Sequence, residues 1–132
     1  MRINDVHNVN DEHSFIHSEF WRQNPLYRRV PYRFSEWTDR AFDYGRLEVR
    51  EHHMKLIREL AERYDFDGLE LGWMRFGSHF KPGHEGGGAE ILTECTGEVR
   101  RLLDSWEQNR GHRIRAGSSS ALATPDSPGI GL

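Results

Sequence analysis

The chain has 132 residues, 36% of them hydrophobic and 30% charged, with a formal charge of −3. That length allows one ordinary domain, and the balance suits a soluble globular protein over about the first 117 residues. There is no basic excess to favour nucleic acid or an anionic membrane, no apolar run of membrane-spanning length, and no apolar leader in MRINDVHNVNDEH, so a cytoplasmic location is expected for the chain as given.

Met1 to about Asn8 reads as a short strand with Ile3 and Val6 as its apolar content. An irregular stretch follows to about Gly45, broken at Asn24-Pro25 and Val30-Pro31, with a short helix over 18–23 that Ser18 caps. Nine of the aromatics crowd this segment, enough for a small core of its own. From Arg46 to Tyr64, Leu47, Arg50, Met54, Ile57, Ala61 and Tyr64 recur at three and four, which predicts an amphipathic helix. The charged residues opposite them form a solvated face.

Gly68 to Met74 reads as a buried strand, with Glu70 on one face and Leu69, Leu71 and Trp73 on the other. A loop holding Lys81-Pro82-Gly83 and Gly86-Gly87-Gly88 leads to a second long helix over about 89–108, striped by Leu92, Cys95, Val99, Leu102 or Leu103, and Trp106. The lone Cys95 lies on that stripe and reads as a structural thiol. A strand over about 112–117 follows, and residues 118–132, SSSALATPDSPGIGL, form a tail without helical or strand period, expected to be disordered.

Strands alternating with long helices imply parallel pairing through right-handed crossovers. Long strand-to-helix loops and short helix-to-strand turns favour a (β/α)8 barrel over a doubly wound sheet. The expected fold class is therefore α/β, a partial TIM barrel of about three parallel strands and two long helices over residues 1–117. The shift in composition near Gly117 fits a truncation or a change of reading frame, and the chain is expected to be a fragment of a larger barrel.

The segments RINDVHN, HSEFWRQNP, DYGRLEVREHHMKLIRELAERYDFDGLELGWMR and HFKPG together resemble bacterial glycoside-hydrolase-like TIM-barrel proteins, over roughly residues 1 to 117. In such proteins the strand often reads Asp-Gly-(Ile/Leu)-x-Leu-Asp; here Gly72 stands where the last acidic group is found. The resemblance implies a glycosidase-like fold and, more loosely, hydrolysis of glycosidic bonds.

Such hydrolysis uses two carboxyl groups, one as acid and one as nucleophile or base. Glu70, facing inward near a strand end among apolar residues, is the candidate acid, because burial favours a carboxyl's protonated form. A salt bridge inside the barrel is the competing role. Asp5 is the candidate second carboxylate, and a turn-forming role suits it equally. His7, Asn8, His17, Arg75 and His79 are candidate hydroxyl-binding groups, with Trp21 and Trp37 as sugar platforms. No histidine spacing matches a zinc motif, so neither metal nor cofactor is expected. Gly86-Gly87-Gly88 matches no phosphate-binding fingerprint and reads as a flexible lid. The expected partner is a carbohydrate, with no nucleic acid and no membrane, and composition does not set the oligomeric state. The expected activity is that of a hydrolase fragment inactive alone; the alternatives are a non-catalytic carbohydrate-binding barrel or a truncated product without activity.

Overall fold

The computed structural model describes residues 1–4, 11–32, 35–73 and 78–119. In chain order these form α1 (Glu19–Gln23), 3-10 turns at Pro25–Tyr27 and Trp37–Arg40, α2 (Leu47–Arg63), β1 (Gly68–Gly72), α3 (Gly88–Arg110) and β2 (Arg115–Ser119). The two strands pair in parallel, with Gly68 opposite Arg115, Glu70 opposite Gly117 and Gly72 opposite Ser119. The chain start touches the other edge of β1 at a single parallel bridge, Arg2 with Gly72, where Ile3 N–H donates to Gly72 O at 3.0 Å.

This overturns the partial barrel. The described residues hold three helices and a two-stranded parallel sheet. That is a small α/β arrangement, too little for three barrel strands. The strand expected over Met1 to Asn8 contributes one bridge, and Asp5 to Asn8 lie outside the described residues. Ser118 and Ser119, expected to open the tail, belong to β2; residues 120–132 lie outside the described part.

The two faces of the sheet differ. On one, Leu71 and Ile114 are fully buried and Leu69 and Ala116 pack against the core. Val49, Met54 and Ile57 of α2 and Leu92, Val99 and Leu103 of α3 complete that core. The other face carries Gly68, Glu70, Arg115 and Gly117, with no apolar side chain to drive further packing.

The helices sit close to their expected limits, with two shifts. The buried stripe of α2 runs through Val49, His53, Met54, Ile57 and Ala61, leaving Leu47 and Tyr64 exposed. His53 enters it because its ring nitrogen Nδ1 donates to Val49 O at 2.8 Å, which removes the polar penalty. At the far end the Arg110 guanidinium donates to Tyr64 O at 2.6 Å and to Ala61 O. Those carbonyls end α2 without helical partners, so Arg110 clamps the two helix ends together.

Of Gly86, Gly87 and Gly88, the last, which opens α3, has a packing role. Gly87 adopts φ +81°, and a Cβ at Gly88 would penetrate the ring of the buried Phe80. Phe80 thus sits close against the first turn of α3.

Candidate functional site

The aromatic segment does build its own core, joined to the main one. Trp21 is buried: its indole N–H donates to Arg40 O at 2.7 Å, His17 stacks on its ring at 4.0 Å, and the Arg28 guanidinium lies 3.5 Å from the ring centroid. Arg28 in turn meets Glu12 at 3.0 Å. Trp21 and His17 are therefore wall, and neither offers the ring face or imidazole to a sugar that the sequence suggests.

Trp37 differs. It opens the 3-10 turn Trp37–Arg40 and stays 37% exposed. The turn is held by the buried Asp39, whose carboxylate accepts from Glu36 N–H at 3.1 Å and Ser35 Oγ at 3.2 Å. Arg29 donates to Thr38 O at 3.1 Å, and Val30 N–H to Asp39 O at 3.2 Å. A surface indole thus sits on a braced loop. Tyr32, 72% exposed, lies in the same loop with φ +59°, a backbone state that bulky residues seldom adopt.

Beyond the carboxyl end of β1 lies a second group, in which His79 is the one expected residue. His79 and Trp73 are both buried, their rings 5.3 Å apart and tilted by 68°, with Tyr44 alongside both. Asn4 ties the chain start to this group. It accepts from Phe42 N–H at 2.9 Å, donates to Phe42 O at 3.2 Å, and meets His79 Nδ1 at 3.0 Å. Tyr44 O–H donates to Ile3 O, and Tyr44 N–H to His79 O at 2.7 Å. Burial, with Arg29 nearby, pushes His79 down to about 4; burial likewise pushes His53 down to about 4. Both rings are neutral at neutral pH. The Trp73 indole N–H is buried with no acceptor among the described residues. A cavity of about 10 Å³ with an apolar lining that includes Trp73, Tyr44, Ile57 and Leu71 lies in the core nearby.

Glu70 belongs to neither group. It is exposed, on the uncovered face of the sheet, so the inward, apolar setting expected of an acid catalyst is not met. The alternation of strand side chains told which face it shares, but not whether anything covers that face. Asp5, His7, Asn8 and Arg75 lie outside the described residues. A groove of about 470 Å³ between α2 and α3 is lined by Arg50, Lys55, Arg58, Glu51, Glu94 and Glu98 among others and holds none of the expected site residues. Cys95 at its floor is half-buried, and burial beside Glu98 pushes its thiol up to about 11, in keeping with a structural role.

Sequence reasoning missed Asn4, Tyr44, Trp73 as a donor, and His53. Only Asn4 left a signal: an amide next to the apolar Ile3 near the chain start, where burial forces it to find partners. Among the described residues no cluster of three or more metal-ligating side chains occurs, and no helix is long and apolar enough to cross a membrane. Neither a protein-family model nor a curated protein matches the chain.

Proposed function

We propose that this chain is a carbohydrate-recognition unit with no turnover of its own. The observation that carries the reading is Trp37, an indole left partly open to solvent on a turn braced by Asp39 and Arg29. An aromatic plane fixed before the ligand arrives receives the C–H face of a sugar at little entropic cost, while hydroxyls find polar groups nearby. Ser35 and Glu36, exposed neighbours of Trp37 in the chain, are the polar residues next to it. The resemblance of the sequence to glycoside-hydrolase-like proteins points to the same ligand class.

Acid/base hydrolysis is the weaker reading. It needs a carboxyl pair a few ångströms apart, one of them desolvated. Glu70 is exposed, and Asp5 lies outside the described residues.

Tryptophan fluorescence titrations with maltotriose, cellotriose and chitotriose test the proposal. At least one sugar should quench or shift the emission saturably, and Trp37→Ala should abolish the response. The same protein should release no nitrophenol from para-nitrophenyl glycosides. Saturable binding that survives Trp37→Ala, or no binding to any of the three, would refute it.

A further inference from the structure

The groove between α2 and α3 has walls of opposite charge. On α2 its lining residues Leu47, Arg50, Glu51, Met54, Lys55 and Arg58 follow one another at helical spacing, as a single stripe. On α3 the stripe is Ile91, Glu94, Cys95 and Glu98. The α2 wall thus carries three cations against one carboxylate, while the lining residues of α3 include two carboxylates and no cation. Between the walls the surface is apolar: Met54 is buried, Ile91 and Cys95 are half-buried, and Leu47 is 55% exposed. Arg50 from one wall and Glu94 and Glu98 from the other all act on the Cys95 thiol. Yet among the described residues none of the six charged groups belongs to an ion pair. Opposite charges face one groove without neutralising each other in pairs.

The direction of the helices decides what such a face fits. Arg110, ending α3, donates to Tyr64 O and Ala61 O at the end of α2, so both helices run the same way with their carboxyl ends together. A two-fold axis parallel to this pair, set above the groove, carries α2 of one copy over α3 of the other. Each cationic wall then meets an acidic one, twice by symmetry. A two-fold axis across the helices would instead stack α2 on α2, cations against cations, which costs free energy. A foreign helix would need one acidic and one basic flank; a second copy of this chain already has both.

We propose that the groove is the contact face of a homodimer, in which α2 of each copy lies over α3 of the other about a two-fold axis parallel to the helices. The covered stripe is about 16 Å long on α2 and about 10 Å on α3, from the rise per helical residue. Exposed ion pairs add little by themselves, so the charges choose partner and orientation, while covering Leu47, Ile91 and Cys95 supplies the attraction. The contact is separate from Trp37, which lies in neither wall.

Sedimentation equilibrium of the full chain, up to high micromolar concentration in low salt, tests this. The native chain should reach twice the chain mass. Lys55→Glu with Arg58→Glu makes the α2 wall acidic, and Glu94→Lys with Glu98→Lys makes the α3 wall basic; each variant alone should stay at the monomer mass. An equimolar mixture of the two should return to twice the mass, because every wall again meets its opposite. All four positions are exposed, so the helical circular dichroism of each variant should match the native chain. A monomeric native chain overturns the proposal, as does a single-wall variant that dimerises like the native chain, or a mixture of the two that stays monomeric. Should a variant lose its helical signal, the native chain in rising salt decides. Its dimer should weaken by about tenfold as the walls are screened, and a dimer that does not weaken overturns the proposal.

Discussion

Acidification should unfold this protein by a route that two residues dominate at first. His53 and His79 both sit near 4 in the fold, against about 6.5 in an unfolded chain. Above about pH 6.5 neither state binds the proton and the pair contributes nothing to the pH dependence. Between about 6.5 and 4 the unfolded chain is protonated while the folded one is not, so stability falls as pH falls. At 1.36 kcal/mol per pKa unit the loss is about 2 kcal/mol per histidine by pH 4.5, and about 3 kcal/mol once pH drops below 4. A small domain has about 5–15 kcal/mol in all, so the pair weighs heavily. His112 acts in the opposite direction, because hydrogen bonding to Asp65 raises it, and its effect must be subtracted through a variant. The assay is urea unfolding from pH 7 to 4.5, where carboxylates still contribute little. His79→Gln should flatten the profile by about 2 kcal/mol over that range, and the double variant with His53→Gln by about twice that. Equal slopes in native and variant chains, or stability rising toward pH 4.5, would show that the rings are not held neutral.

Three further outcomes follow from packing. Gly88→Ala should cost about 1–3 kcal/mol, read as a lower unfolding midpoint, because its methyl meets the Phe80 ring; Gly86→Ala, with open space around it, should cost far less. Leu103→Ala, at a position with no exposure, should cost about 2–5 kcal/mol, whereas Leu56→Ala on the open side of α2 should stay within about 1 kcal/mol. Trp21→Ala should cost about 3–5 kcal/mol through lost burial and the lost bond to Arg40 O, while Trp37→Ala, at a position 37% exposed, should lower the unfolding midpoint less.

Long elements were legible because their spacing is a property of the chain alone. Leu92, Val99 and Leu103 repeat as a helix must, and α3 runs over Gly88–Arg110 against an expected 89–108. Likewise Leu69, Leu71 and Trp73 alternate with Glu70, and β1 shows that alternation. What covers each face depends on residues far along the chain. Glu70 shares its face with Arg115 and Gly117, residues that carry no apolar surface, so the face stays open. The bonds of Asn4 span 38 and 75 residues, and no local pattern announces them. Gly88 shows the same limit: three glycines suggest flexibility until Phe80 is seen resting on one of them.

One comparison separates recognition by the braced indole from recognition by the strand carboxylate directly. Calorimetric titration of the best-binding trisaccharide into the native chain, Trp37→Ala and Glu70→Gln should show binding retained in Glu70→Gln and lost in Trp37→Ala. Binding lost in Glu70→Gln and kept in Trp37→Ala would contradict recognition by the indole.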